Sequence, residues 1–593
     1  MPRNTFRIDE ELESPFHWGQ LKRAIGYVAR YKKNIITVFF TTITSIVLSL
    51  CVPLLTRTAI DDYIPSGNIP GLMKLGGLMF LILAACISLN TLRYRLNSIS
   101  GQGIIRDIRS DLYRHLQKLP FEYYDSRPAG KIYVRVVNYV NSVADFLSSG
   151  LINIVLEVIA MFIITGFMFY LSPTLSWVAL SGLPFLAVFV FTTKPIQRRA
   201  LLLRNNKQSN LTAYLSENIN GVRITQSFTR QSYNLDIFRS LQEETRKYYM
   251  RAARIMHLMW PVTMILARIV SAVIYISAVY YLRNNLHPDE ITVGTIITMV
   301  SFTWRFWGPV QNLGNHYNNL LSTASYLERI FQVLDEPVTV SDAPNAYELP
   351  TIDGAVSFRD VTFSYEKGIP VLKNVSFEVK AGNSIALVGP TGAGKTTIIN
   401  LLSRFYNKDS GAILIDGHDI NEVTAASLRG QMGIMLQDTF IFSGNIIENI
   451  RFGRLDATDE ECIEAAKAVR ADTFISKLPD GYYTEVDERG EGFSAGQRQL
   501  LSFARTILSE PRILILDEAT SSIDTQTERL VQEGISTLLK GRTSFVVAHR
   551  LSTIMNCTRI MYINDGVIAE SGSHDELMKR RGLYYQLYMS QLQ

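Results

Sequence analysis

Long apolar runs dominate the first half of this sequence and limit its possible folds more than any other feature. A bilayer core of about 30 Å requires about 20 apolar residues to cross it as a helix. Six runs reach that length, approximately Asn34–Leu55, Leu72–Leu92, Leu147–Leu171, Leu175–Thr193, Ile255–Leu282 and Ile291–Val310. Over all 593 residues, 47% are hydrophobic and only 19% are charged, which argues against a purely soluble enzyme. The sequence therefore predicts a helical membrane domain with six spans.

The positively charged residues predict the orientation of these spans. The stretch Arg93–Arg135 holds nine Lys and Arg residues and Lys194–Arg254 holds twelve, whereas Asp61–Gly71 holds none. Because positive residues stay on the cytoplasmic side, we expect both termini in the cytoplasm. Ahead of the first span, the pattern of Phe16–Tyr31 predicts an amphipathic helix on the inner membrane surface, with a plain solvated helix as the alternative.

The two basic stretches are too apolar and too periodic to be loose loops. We therefore expect the second to fifth spans to continue as long helices into the cytoplasm. Each stretch turns around a short segment, which is Phe121–Arg127 in the first and Gly221–Gln231 in the second. These two turns are candidate contact points for another domain.

The character of the sequence changes after Leu334. Asp335–Asp353 is polar and carries three prolines, which is typical of a linker, and from Gly354 short β-branched strands alternate with helical segments. This pattern predicts a cytoplasmic N-terminal segment at residues 1–33, a membrane domain at 34–330, a linker at 331–353 and an α/β domain at 354–593. The four cysteines have no metal-ligand spacing and predict neither a zinc site nor a structural disulfide.

The strongest chemical signal is a phosphate-binding loop of the form GxxxxGK[ST]. It follows a predicted strand at Ser384–Val388 and precedes a helical run, as such a loop requires. Lys395 would reach the outer phosphates, and Thr396 would offer its hydroxyl to Mg²⁺. The predicted ATP-binding residues of this loop are Gly389, Pro390, Thr391, Gly392, Ala393, Gly394, Lys395, Thr396 and Thr397.

A second predicted strand, Arg512–Leu516, ends in two carboxylates, Asp517 and Glu518. In phosphate-loop enzymes a carboxylate at this strand end holds Mg²⁺, and the next carboxylate can activate the attacking water. We predict that Asp517 binds the metal and that Glu518 is the general base. Helix capping is the alternative for either residue taken alone.

Three further residues are weaker candidates for the same site. Gln437 follows a predicted strand at Met432–Leu436 and is a candidate contact of Mg²⁺ or of the attacking water. His549 follows another strand, Ser544–Ala548, and is a candidate contact of the γ-phosphate. Tyr365 precedes the loop and is a candidate to stack on adenine, although a lone aromatic residue is more often part of a core.

Two further motifs, FSAGQ at 493–497 and SSID at 521–524, lie on either side of Asp517 and Glu518. In the order in which they follow one another along the chain, all these motifs resemble the nucleotide-binding domain of an ABC transporter. The six preceding spans on the same chain resemble a half-transporter of the multidrug exporter type. The resemblance implies a dimer in which each ATP lies between one chain's phosphate loop and the other chain's signature motif. It identifies that motif with Ser494, Ala495, Gly496 and Gln497, and it implies that Asp524 of the D-loop communicates across the interface. The turns Phe121–Arg127 and Gly221–Gln231 then match the family's coupling helices.

The sequence departs from the family pattern at two positions. Ala495 stands where the signature has glycine, and Asp487 stands where a nearby loop has glycine. A methyl group at Ala495 would crowd the nucleotide or stiffen the loop. The residues of this chain's own ATP site, Lys395, Thr396, Asp517, Glu518 and His549, match those of a hydrolytic site. This combination resembles the catalytically intact half of a heterodimeric exporter. A homodimer that tolerates Ala495 is the alternative.

Ionisable residues within the spans are candidates for the cargo site, because charge is costly inside a bilayer. Glu157 and Arg268 lie deepest, and Arg305 follows Trp304 in the sixth span. These four residues are candidates to line a cargo cavity. The alternative is that Glu157 and Arg268 pair inside the bundle, or that Arg305 snorkels to the interface beside its tryptophans.

Taken together, the sequence predicts an α-helical membrane domain with the six-helix ABC exporter fold, joined to an α/β P-loop NTPase domain of the ABC type. The expected activity is ATP hydrolysis coupled to efflux of hydrophobic or amphipathic small molecules, drugs or lipids, across the cytoplasmic membrane. The expected cofactors are ATP and Mg²⁺, the expected partner is a second half-transporter, and no feature indicates nucleic-acid binding. The alternatives are a homodimeric lipid or peptide exporter, and a nucleotide-gated channel or regulator on the same fold.

Overall fold

A computed structural model of the chain describes residues 18–127, 129–284, 290–366, 368–435, 439–487, 490, 492–517, 525–547 and 551–592. The chain forms two compact units. The first comprises the residues up to Gln117 and Ala129–Glu336, and the second comprises Lys118–Pro128 and Pro337–Gln593. The predicted turn at Phe121–Arg127 thus belongs to the second unit, although it lies between membrane helices in the sequence.

The first half of the chain is helical. Its α-helices are α1 (Trp18–Ala29), α2 (Lys32–Thr58), α3 (Ile69–Leu116), α4 (Phe121–Asp125), α5 (Ala129–Val134), α6 (Val140–Asp145), α7 (Leu151–Leu171), α8 (Pro173–Leu180), α9 (Leu183–Asn220), α10 (Val222–Ser227), α11 (Gln231–His257), α12 (Met259–Arg283) and α13 (Val293–Leu334). Short π-helical segments continue or join some of them at Ala59–Tyr63, Arg135–Tyr139 and Phe146–Gly150.

Five helical stretches among the described residues are long and apolar enough to cross a membrane: Lys32–Tyr63, Ile69–Leu116, Ile132–Leu171, Pro173–Asn220 and Gln231–Arg283. They contain the first five predicted spans. The sixth predicted run opens the 42-residue helix α13. This run is less apolar than the others because Arg305, Gly308 and Pro309 interrupt it.

The long helices predicted to extend beyond the spans are present. Helix α3 runs unbroken for 48 residues, and at 1.5 Å per residue it is about 72 Å long, more than twice the bilayer core. Helices α9 and α11 pack along each other as an antiparallel hairpin. Each predicted turn contains a short helix, α4 in the first and α10 in the second.

Helix α1 packs against the helices of the first unit, so the alternative of a plain solvated helix is wrong. Leu21 and Ala24 are buried, and the Tyr27 hydroxyl donates to the Asp111 carboxylate of α3 at 3.0 Å. Also on α1, the Arg23 guanidinium donates to both carboxylate oxygens of Asp335, the residue directly after α13, at 2.6 and 2.7 Å. The predicted position on the membrane surface remains a prediction.

The second unit is an α/β domain. Its strands are β1 (Val356–Phe363), β2 (Leu372–Val379), β3 (Ser384–Val388), β4 (Ser410–Ile415), β5 (His418–Asp419), β6 (Met432–Met435), β7 (Gly444–Asn445), β8 (Glu485–Val486), β9 (Ile513–Asp517), β10 (Thr543–Val547), β11 (Arg559–Asn564) and β12 (Val567–Gly572). Its other helices are α14 (Lys395–Leu402), α15 (Ala425–Arg429), α16 (Ile446–Arg451), α17 (Asp459–Ala468), α18 (Asp472–Ile475), α19 (Ala495–Leu508), α20 (Thr525–Leu539), α21 (Leu551–Met555), α22 (His574–Arg580) and α23 (Leu583–Leu592).

The main sheet positions the phosphate loop. Its strand order is β12-β11-β3-β10-β9-β6, and the strands from β11 to β6 are parallel. Strand β10 is buried at every position and β9 at every position but its last, because a parallel sheet is covered on both faces. A second, antiparallel sheet has the order β2-β1-β4-β5.

The register of the parallel strands aligns their carboxyl ends. Val547 of β10 pairs with Leu387 of β3 on one side and with Asp517 of β9 on the other. Leu516 of β9 pairs with Met435 of β6. The ends of β3, β10, β9 and β6 therefore lie at one edge of the sheet, where ligands of open α/β sheets bind.

Candidate functional site

The phosphate-binding loop connects the buried strand β3 to helix α14. Two of its glycines are sterically required. Gly389 has φ of +141°, and a Cβ on it would collide with the backbone carbonyl oxygen of Ile563 in β11. Gly394 precedes α14 with φ of +107°, and its Cβ would lie 2.7 Å from a methyl of Leu372. The loop therefore needs glycine to pass between these neighbours and present its backbone N–H groups.

Lys395 is the first residue of α14, and its ammonium group lies within the loop. Its Nζ donates to the carbonyl oxygens of Gly389 at 2.9 Å and of Pro390 at 2.8 Å. Burial lowers the pKa of Lys395, and the charge of Asp517 opposes that shift. Lys395 is only 8% exposed, and its ammonium lies in the place where the sequence predicts the outer phosphates.

Thr396 and Asp517 meet beside the loop, as a metal site requires. The Thr396 Oγ1 lies 3.5 Å from Oδ2 of Asp517, although the two residues belong to different elements, α14 and β9. A hydroxyl and a carboxylate are hard oxygen donors, and Mg²⁺ in nucleotide sites takes one or two protein ligands beside phosphate oxygens. The residues present therefore fit Mg²⁺.

Tyr365 lies against the helix that follows the loop. Its hydroxyl is 3.3 Å from the Thr397 hydroxyl, and the Asn400 amide donates to it at 3.4 Å. The side chain is 43% exposed, which excludes the alternative of a core aromatic. Its edge-to-face neighbours are the rings of Phe363, with centroids 4.8 Å apart, and Tyr406, at 5.1 Å.

The predicted signature motif forms the start of helix α19. Ser494 caps the helix: its Oγ accepts from the Gln497 backbone N–H at 3.2 Å, while Gln497 Oε1 accepts from the Ser494 N–H at 2.9 Å. Ala495 is the first helical residue, is exposed, and does not have a positive φ. The local backbone therefore does not demand glycine at Ala495, and the methyl group causes no strain within its own chain.

Four predicted site residues, Gln437, Glu518, Asp524 and His549, lie outside the residues that the structure describes. Three of them follow strands that are described: Gln437 comes two residues after β6, Glu518 directly after β9, and His549 two residues after β10. These three strands are neighbours in the sheet and end in register. Their predicted roles stay predictions.

The charged candidates of the membrane unit have different partners from those expected. Glu157 does not pair with Arg268, so that alternative is wrong; its Oε1 lies 3.5 Å from Nε2 of His316 on α13. The Arg268 guanidinium stacks on the Trp304 ring, 4.7 Å from the centroid, and Arg305 donates to the Ser49 hydroxyl at 3.4 Å. Helix α7 packs along α13, which brings Glu157 to His316.

Sequence reasoning missed His316 because the sixth predicted span ends at Val310, whereas α13 continues to Leu334. The signal that could have found it is the absence of any helix-breaking residue between Val310 and Leu334 apart from Gly314. Such a run predicts that the helix, and with it the bundle, continues past the apolar segment.

The first predicted coupling turn contacts the α/β core of its own unit. The ring of Phe121 packs on Phe405, with centroids 4.3 Å apart, and the Tyr406 hydroxyl donates to Asp125 Oδ2 at 2.5 Å. Phe405 and Tyr406 were also missed, although an aromatic pair three residues beyond the end of α14 is visible in the sequence. The turn around α10 belongs to the first unit and exposes Ile224 and Phe228.

Comparison with known families agrees with this architecture. The family model for the ABC transporter transmembrane region matches residues 35–310, and the ABC transporter model matches residues 372–521. In Bacillus subtilis (strain 168), the uncharacterized ABC transporter ATP-binding protein YknV is 41% identical, covering 100% of this chain and 98% of the relative. The putative multidrug export ATP-binding/permease protein YgaD of the same strain is 36% identical, covering 97% and 99%.

A solved structure shares the fold along almost the whole chain. It is described as a bacterial Atm1-family ABC exporter with ATP bound, and it superposes with a TM-score of 0.79 at 28% sequence identity, covering 95% of this chain and 99% of that one. The chain therefore belongs to the ABC transporter family, with the exporter half-transporter architecture in which one polypeptide joins a helical membrane domain to an ATP-hydrolysing domain.

Proposed function

We propose that this chain is one half of an ATP-driven efflux pump that exports hydrophobic or amphipathic small molecules across the cytoplasmic membrane by alternating access. The observation that carries the proposal is the convergence of Lys395, Thr396 and Asp517 at one loop of a chain that also holds long apolar helices. A membrane anchor alone would need far fewer apolar residues than this chain has.

In the proposed reaction, the loop and Lys395 bind the phosphates of ATP, and Glu518 takes a proton from the water that attacks the γ-phosphate. His549 contacts the γ-phosphate, and Gln437 orients the water. Mg²⁺, held by Thr396, Asp517 and Gln437, would supply charge neutralisation at the phosphates. The aligned ends of β6, β9 and β10 support this assignment, because Glu518 directly follows β9 and because Gln437 and His549 come two residues after β6 and β10.

The signature motif would act on the nucleotide of a second chain. The exposed start of α19 supports this role, because a helix N-terminus stabilises negative charge. Asp524 would communicate across the same interface. The Ala495 methyl lies on the exposed surface of that helix end, so it would meet the partner's nucleotide rather than its own chain.

We favour a heterodimer in which this chain supplies the active Lys395–Glu518 site and donates a weakened signature to its partner. Two measurements on one sample test this: the ATPase activity of the chain purified alone in lipid, and its oligomeric state. An inactive or monomeric chain supports the heterodimer. A stable homodimer whose ATPase is abolished by Glu518→Gln contradicts it and supports two equal sites.

The cargo proposal draws support from the multidrug export relative and from the aromatic and charged side chains of the membrane unit, such as Trp304, Arg268 and Glu157. Uphill accumulation of a fluorescent amphipathic dye in inside-out vesicles tests it, with Glu518→Gln vesicles as the control. Accumulation that requires ATP and is lost in the variant supports a pump. Dye movement that only equilibrates down its gradient when ATP is bound would instead indicate a nucleotide-gated channel.

A further inference from the structure

Tyr406 is a buried residue next to the predicted adenine-stacking residue. It is 8% exposed, and its ring meets the Tyr365 ring edge-on, with centroids 5.1 Å apart and planes at 90°. Phe363 packs against both rings. Because Tyr365 is itself 43% exposed, these two neighbouring rings supply aromatic contacts that orient its ring plane, in addition to the contacts of its hydroxyl with Thr397 and Asn400.

The position of Tyr406 is fixed by the first coupling turn. Its hydroxyl donates to Oδ2 of Asp125, the last residue of α4, at 2.5 Å. Burial, followed by the hydrogen bond and the charge of Asp125, raises the pKa of Tyr406 well above its ordinary value, so the hydroxyl stays protonated and can donate. A hydroxyl that donates to a carboxylate makes one of the stronger hydrogen bonds in proteins.

The same turn is attached at its other end. Phe121 packs on Phe405, and the Arg429 guanidinium lies over the Phe405 ring, 5.1 Å from its centroid. A cavity of about 450 Å³ is lined by Tyr365 and Tyr406 and also by Glu122 of the turn. A shift of α4 would therefore change the surroundings of Tyr365.

We infer that Tyr406 is a positioning residue for the base of the nucleotide: its hydrogen bond to Asp125 orients its ring, and that ring holds Tyr365 ready to stack on adenine. The location of α4 would then set the affinity for ATP through the base and not through the phosphates. This inference rests on the proposed function, in which Tyr365 stacks on adenine.

The test uses the full-length protein in lipid, assembled as its active dimer. Tyr406→Phe removes the hydrogen bond and keeps the ring. We expect it to raise the KM for ATP about threefold to tenfold, the effect of one hydrogen bond, with kcat unchanged. Inorganic triphosphate, which has no base, should inhibit both proteins equally. Asp125→Asn should act in the same direction.

Tyr482→Phe is the matched control. The Tyr482 hydroxyl also donates to a carboxylate, that of Asp472 at 2.8 Å, and its pKa is likewise raised by burial, but both residues lie outside the phosphate loop and the coupling turn. Its KM for ATP should equal that of the parent protein. A rise as large as that of Tyr406→Phe would mean a general effect on the domain and would overturn the inference.

Tyr365→Ala separates the inference from the proposed function. If it leaves the KM for ATP unchanged, the stacking role is wrong. If it raises the KM while Tyr406→Phe does not, the stacking role stands and the inference fails. If Tyr406→Phe still raises the KM in the Tyr365→Ala background, or weakens triphosphate as much as ATP, Tyr406 acts by another route and the inference also fails.

Discussion

Glu157 of α7 and His316 of α13 form a side-chain pair inside the membrane unit, with 3.5 Å between Oε1 and Nε2 and with both side chains less than one-fifth exposed. The pair joins the third predicted span to the part of α13 that continues beyond the sixth predicted span. It explains how a carboxylate is accommodated within an apolar span, since a charged or hydrogen-bonded partner offsets the cost of burying it.

The first prediction concerns this pair. Glu157→Gln and His316→Gln should each lower the thermal midpoint of the purified protein, because each removes the partner of the other. Their effects should not add in the double variant, with a coupling of about 0.5–3 kcal/mol. Arg305→Gln is the control, because Arg305 is exposed and makes one long hydrogen bond. Full additivity would show that the two side chains do not stabilise each other.

The second prediction concerns hydrolysis. Glu518→Gln should bind ATP as the parent does and lower kcat by about a hundredfold or more, because it removes the general base. Lys395→Ala should instead weaken ATP binding about tenfold to a hundredfold, since a charged hydrogen-bond donor to the phosphates is lost. Nucleotide binding and ATPase rates measured on the same samples separate the two effects. Normal turnover in Glu518→Gln would remove Glu518 from the role of base.

The third prediction concerns Mg²⁺. Thr396→Val removes a hydroxyl oxygen and Asp517→Asn removes the carboxylate charge from the pair that meets at 3.5 Å, so each should raise the Mg²⁺ concentration needed for half-maximal ATPase activity. Thr473→Val is a suitable control, because the Thr473 hydroxyl donates to the Arg470 backbone carbonyl and lies outside the phosphate loop and β9. A Mg²⁺ requirement unchanged in both site variants would contradict the assignment of the metal ligands.

The fourth prediction concerns the signature. Ala495→Gly should raise the ATPase turnover of the assembled dimer, because it removes the methyl group that would face the partner's nucleotide in the proposed arrangement. Ala425→Gly is the matched control: Ala425 is likewise the first residue of a helix and follows a capping side chain, Thr424. It reports the effect of glycine at a helix start alone. No rise with Ala495→Gly, or an equal change in both variants, would weaken the argument for one degenerate site.

The local pattern of the sequence was sufficient for the secondary structure around the site. The predicted strand at Ser384–Val388 coincides with β3, and the strand predicted at Arg512–Leu516 differs from β9 by one residue at each end. The first five spans fall within the observed apolar helices. These features depend on residues close together in the chain, whose hydrophobicity and glycine spacing set the local conformation.

The sequence by itself determined the spans, the phosphate loop and the family resemblance, because each is encoded in consecutive residues. Only the tertiary structure decided that Glu157 pairs with His316 and not with Arg268, and that Tyr406 donates to Asp125, which lies 281 positions earlier in the chain. These contacts depend on how helices and strands pack, and packing is set by the summed burial of many side chains. No short stretch of sequence carries that information.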